Sequence, residues 1–172
     1  MEIKDYEKKL DQELLPSIKE QLLCAYADGY QQATIDNYMR KHHVSGRLVD
    51  FGLPSKTIWI VRMESLTFRD AQKLGLQFPT EEQIEELLKC KWRQEQYDGW
   101  HCHVRGPNGC EMGIFDSCHQ KLCVWTNGSK EDDNFIVTGY VYDGKENTLT
   151  KGSVYSGDKY STLFVLPSDL AI

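Results

Sequence analysis

His101, Cys102, His103, Cys110, Cys118, His119 and Cys123 put seven side chains able to hold a soft metal within 23 residues. Imidazole nitrogen and thiolate sulfur are the donors zinc prefers, and a thiol beside an imidazole is the pairing a cysteine nucleophile needs. The spacing works against both chemistries. Closed zinc sites usually use paired knuckles with two residues between ligands, and none occurs in this run. Cys102 lies between two histidines, but neighbours in a strand point away from it, so neither can serve directly as its base.

Pro107-Asn108-Gly109 between two extended runs is a hairpin signal. A tight turn there sets Arg105 opposite Cys110 and His103 opposite Met112, so His101, His103 and Cys110 share a face. At roughly 3.3 Å per residue, His101 is then about 13 Å along the strand from Cys110, too far for one ion. Cys102 and Val104 point to the opposite face, and His101 and His103 read most simply as surface residues on a strand. The reading is therefore no metal and no other cofactor, with His101, His103, Cys118, His119 and Cys123 as the alternative metal set.

Other chemistry is no better supplied. The glycines at 106 and 109 lie in a hairpin and not between a strand and a helix, so they do not cradle phosphate. Lys130-Glu131-Asp132-Asp133-Asn134 has the composition of a calcium loop without its alternating ligands. Glu81, Glu82, Glu85 and Glu86 form the solvated face and acidic first turn of a helix.

That helix is the clearest element in the chain. Thr80 can cap it, Gln83 completes a capping box, Pro79 blocks extension upstream, and Ile84, Leu87 and Leu88 form its apolar stripe. Thr67 opens an earlier capped helix running to Gly75. Ile58 to Val61 reads as a central strand. After Trp92, strands are expected at 101–105, 112–115, 122–125, 135–142 and 163–166. Helices followed by an antiparallel sheet make an α+β chain.

Four motifs in order resemble the C-type-lectin-like domains of the Fibrobacter succinogenes major paralogous and related Bacteroides-type bacterial families. They are Val49-Asp50-Phe51-Gly52-Leu53-Pro54-Ser55 leading to Trp59, Phe78-Pro79-Thr80 with its helix to Cys90-Lys91-Trp92, Gly106-Pro107-Asn108-Gly109, and Trp125-Thr126-Asn127. The resemblance covers roughly residues 47–167. The segment from Phe115 to Trp125 is shorter than in the family, and the closing strand has only an echo in Leu163 to Pro167.

The resemblance implies a C-type-lectin-like fold, with an antiparallel sheet and two flanking helices, over residues 46–172. It also implies a non-enzymatic module that binds a protein or carbohydrate ligand through its C-terminal strands and loops, and a source in a phage or mobile element of a gut bacterium. Trp125, Asn127, Tyr140, Tyr142, Tyr155, Asp158 and Tyr160 are the expected recognition surface, because aromatics among Asn, Ser, Gly and Asp give rigid contacts with adaptable hydrogen bonds. The related formylglycine-generating enzymes share the broader fold and use paired cysteines, but their longer pattern is not matched. A metal-dependent or redox enzyme built on residues 101–123 is the alternative, and a structural or assembly protein the second.

Residues 1–45 lie outside the resemblance and read as a helical extension. Tyr6, Leu10, Leu14, Ile18, Leu22, Tyr26 and Tyr30 recur near helical spacing, and Pro16 divides a first short helix from a second that it opens. Gly29 and Ala33-Thr34-Ile35 are places for a further bend. The extension is expected to pack on the following domain or on a second copy, as a homo-oligomer.

Composition bounds the rest. The chain has 172 residues, 40% of them hydrophobic, enough for one core and a smaller appended element. A net charge of -6 with pI near 5.4 argues against a nucleic-acid surface. With no long apolar run and no signal-peptide core at Met1-Glu2-Ile3-Lys4-Asp5, a cytoplasmic protein with six reduced thiols and no membrane partner is expected.

Overall fold

In the computed structural model, residues 16–42, 46–62, 64–96, 101–116 and 122–170 are described, with backbone alone at 16–20, 22–23, 26, 96, 101–103 and 111–116. The chain divides into two compact units, Met1–His43 and Val44–Ile172. It is a mixed α and β protein with several antiparallel sheets.

In the first unit, α1 (Pro16–Lys41) begins at the proline, whose missing N–H costs nothing in the first turn. It continues without interruption through Gly29, so the expected bend there is absent. Thr34 Oγ1 instead bonds back to the Tyr30 carbonyl at 2.9 Å. Tyr30 is 61% exposed while Ile35 is buried. The first short helix expected before Pro16 falls outside the described residues. No helix among the described residues is long and apolar enough to cross a membrane.

The second unit opens with β1 (Arg47–Asp50) and β2 (Ile58–Val61), then α2 (Phe68–Lys73) and α3 (Glu81–Leu88). Eventually β9 (Leu163–Val165) returns to β2, giving a sheet of order β1-β2-β9 that ties the start of the unit to its end. Between them lie two more three-stranded sheets. The first is β3 (Arg93–Gln96), β4 (His101–Arg105) and β5 (Glu111–Asp116); the second is β6 (Cys123–Val124), β7 (Ile136–Asp143) and β8 (Thr148–Tyr155). One core draws on all three: Trp59 and Val61, Val104, and Val124 with Tyr140 and Tyr142, covered by Ile84 and Leu87 of α3.

The capping box at Thr80 and Gln83 forms as its residue types require. At the far end Trp92 Nε1 donates to the Leu87 carbonyl at 3.0 Å, which also accepts from the Cys90 N–H at 3.1 Å. The motifs then join in pairs. Asn108 Nδ2 donates to the Phe51 carbonyl at 2.8 Å, where Gly52 turns the chain at φ 67°. Asn127 N–H donates to the Pro79 carbonyl at 2.9 Å, and Thr126 Oγ1 to Glu81 Oε1 at 3.1 Å.

The hairpin register departs from the expectation. Arg105 stands opposite Glu111 and His103 opposite Ile114, with a bulge between Val104 and Arg105. The reason is the turn: Pro107–Gly109 is a 3-10 turn with Asn108 at φ 55°, and Gly106 N–H bonds the Cys110 carbonyl at 2.8 Å. Cys110 therefore belongs to the loop and not to the ladder.

Candidate functional site

The Cys and His run does not assemble into a centre among the described residues, where no group of three His, Cys, Asp or Glu side chains is placed to hold a metal ion. Cys118 and His119 lie outside those residues, and His101 and His103 are described as backbone on β4. Cys110 is half-buried, with Arg47 Nη2 3.4 Å from its sulfur. Cys123 is buried beside Gly139, and burial pushes its thiol up to about 12, so it is a neutral thiol and not a nucleophile at neutral pH.

The expected recognition surface separates into core and surface. Trp125 and Tyr142 are fully buried and Tyr140 nearly so, which removes all three from any exposed face. Trp125 is enclosed by the rings of Phe68 at 5.4 Å, Tyr160 at 6.1 Å and Phe78 at 6.5 Å. Tyr140 and Tyr142 share the face of β7 that packs on α3 and Trp92, because rings of this size contribute more when buried than on a wet strand. The Tyr140 hydroxyl donates to Glu81, and burial, then that carboxylate, raises it to about 12. Tyr160 is half-buried; Asn127 and Asp158 are exposed.

What remains outside is Tyr155, at 50% exposure, and beside it the residue expected to open the strand at 135–142. Phe135 is 48% exposed, and the two rings meet edge to face with centroids 6.4 Å apart. Phe135 does not belong to β7. Asp132 Oδ1 accepts the N–H groups of Asn134 at 2.9 Å and Ile136 at 2.8 Å, and this turn forces Phe135 to φ 60°. A bulky residue in the left-handed region is a strained position that glycine would fill more readily. The sequence carried one signal, a phenylalanine directly after an Asp-Asp-Asn turn.

Arg69 of α2 completes the patch. Its guanidinium carbon lies 5.5 Å from the Phe135 ring centre, and it grips Glu131 through two hydrogen bonds of 2.7 and 3.0 Å. The bond from Arg69, and after it one from buried Ser156, holds the Glu131 carboxyl below its ordinary value. Thr67, Asp70, Lys73, Ser156 and Gly157 close a cleft of about 310 Å³ around the two rings. A β-carbon at Gly157 would stand 2.7 Å from the Tyr155 ring, so the glycine lets that ring lie over the backbone. One wall is aromatic and the other offers both cations and a carboxylate, which suits recognition by stacking and hydrogen bonding.

A larger cleft of about 520 Å³ lies by Ser55, Thr57 and Gln83. Three of its polar side chains, Ser55, Thr57 and Gln83, bond one another and Glu86. Gln83 Nε2 donates to Thr57 Oγ1 at 3.2 Å, the Ser55 and Thr57 hydroxyls are 2.8 Å apart, and Ser55 Oγ donates to Glu86 Oε2 at 2.6 Å. Ser55 has one proton and Glu86 takes it, so Thr57 donates to Ser55 and the chain runs toward the carboxylate. It clasps the β1–β2 loop to α3.

No family profile, curated protein or solved structure matches the chain.

Proposed function

We propose that residues 46–172 form a non-enzymatic binding module of C-type-lectin-like type, taking a protein or carbohydrate ligand on the Phe135, Tyr155 and Arg69 patch. Support for the type comes from its helices beside antiparallel sheets and from the pairwise joining of the motifs that carry the resemblance. Support for binding rests on one observation: two large apolar rings are left half in water side by side, one of them held in a strained backbone conformation. Exposed apolar patches rimmed by polar groups mark interaction sites, and strain concentrates where function requires a side chain.

Glycan arrays and displayed peptide libraries, probed with the full chain and with a Phe135→Gly, Tyr155→Ala variant, test the reading. Ligands are expected that bind the parent and lose about tenfold or more in affinity to the variant, as loss of two aromatic anchors predicts. Near-ultraviolet circular dichroism from buried Trp59 and Trp125 checks that the variant is folded. Ligands that bind both proteins equally would overturn the patch as the site.

A further inference from the structure

Among the described residues no strand pairs with the outer edge of β8, and the sheet register says which backbone groups that edge presents. Tyr142 N–H bonds the Leu122 carbonyl at 3.1 Å, so Tyr142 and Tyr140 turn their backbone groups toward β6. Their neighbours Val137, Gly139 and Val141 then face β8, where they stand opposite Val154, Gly152 and Thr150. Ser156 N–H to the Phe135 carbonyl, at 2.8 Å, continues the same phase. The alternate residues Lys151, Ser153 and Tyr155 therefore direct their N–H and C=O groups outward. Among the described residues only the Tyr155 carbonyl has a backbone partner, Asp158 N–H at 3.1 Å. All three side chains are exposed.

Charge decides what can pair there. In a symmetric pairing of two β8 edges centred near residue 151, the two Lys151 side chains would meet, and like charges across strands are unfavourable. A foreign strand carrying Asp or Glu at that point gains the opposite effect. The Lys151 side chain is 62% exposed, with its ammonium 5.7 Å from the Tyr140 ring centre and 4.0 Å from Glu81, whose carboxylate already accepts from Tyr140 and Thr126. Gly152 carries no side chain to obstruct an incoming backbone, and the Tyr155 and Phe135 rings lie at the end of the edge.

We propose that β8 accepts an extended peptide segment of a partner protein as an added strand, with an acidic side chain beside Lys151 and an apolar one against Tyr155. Main-chain bonds supply affinity and the alternate side chains specificity in this mode. The proposal rests on the reading of this unit as a binding module, and it names the partner class.

Amide exchange of the full-length chain gives the first test, and needs no ligand. The Lys151 and Ser153 amides are expected to exchange freely while those of Thr150, Gly152 and Val154 are protected. Random peptides displayed on phage and selected on the full chain give the second. Synthetic copies should carry an acidic residue and protect the Lys151 and Ser153 amides when bound. Lys151→Glu should shift their affinity at least about tenfold in favour of basic over acidic peptides. Ser153→Pro removes an outward donor without touching the β7 ladder, and should weaken them about tenfold while circular dichroism is unchanged.

Edge amides already protected in the free chain, a dimer that protects them, or no selected peptide would each overturn the proposal. So would selected peptides that leave those amides exchanging. Ligands that depend on Phe135 and Tyr155 yet leave the edge amides free would overturn strand addition alone, and leave the binding module standing.

Discussion

Phe135 stands at φ 60° with its ring against Tyr155 and under Arg69, so its backbone cost and its side-chain contacts can be separated by substitution. Replacement by alanine keeps the unfavourable dihedral and loses the ring; replacement by glycine loses the ring and relieves the backbone. Phe135→Gly is therefore expected to be more stable than Phe135→Ala by about 1 kcal/mol in urea unfolding. Equal stability would mean that the turn does not hold the residue there. Gly139 is constrained in the opposite sense, by space. A β-carbon on it would stand 2.8 Å from Cys123 Sγ, 3.0 Å from Trp125 Cδ1 and 3.1 Å from the Val124 carbonyl. Gly139→Ala is expected to destabilise by about 1–3 kcal/mol, seen as a lowered thermal midpoint.

At the scale of elements, α3 joins the parts of the second unit. Its capping box fixes where it starts, Glu86 holds the β1–β2 loop through Ser55, and Glu81 holds Thr126 and Tyr140 of the β6–β7 region. Thr80→Ala removes one cap bond and is expected to cost about 1 kcal/mol, measured by chemical denaturation. α3 was legible in the sequence because every determinant of it lies within a dozen residues. The β4–β5 register was not, because a 3-10 turn and a bulge adjust it in ways Pro-Asn-Gly alone does not specify. Strand β8 was also missed. Lys151-Gly152 interrupts its apolar alternation, and that interruption belongs to an edge facing water and not to a break in the strand.

For the molecule as a whole, two buried groups make stability depend on alkaline pH. Tyr140 is raised from 10.0 to about 12, by burial and then by its bond to Glu81; Cys123 is raised from 9.0 to about 12 by burial. In each the neutral form is favoured by folding, so the contribution is complete below the unfolded value and is lost as pH climbs through the folded one. Stability is expected to fall from pH 9 to about 12, by up to about 1.4 kcal/mol per pH unit for each group. Urea midpoints across that range check it, and Tyr140→Phe should flatten the part of the decline above pH 10. The mixed α and β character, the two capped helices and a helix opening at Pro16 could be read from the chain directly, since caps, prolines and local periodicity act over a few residues. The sequence also named Tyr155 and Asp158, which lie on the surface. Packing between distant segments put Trp125, Tyr140 and Tyr142 in the core, left Phe135 at the surface and brought Arg69 of α2 over it. Which face of a strand is wet depends on what packs against it, and those partners come from parts of the chain some sixty residues apart.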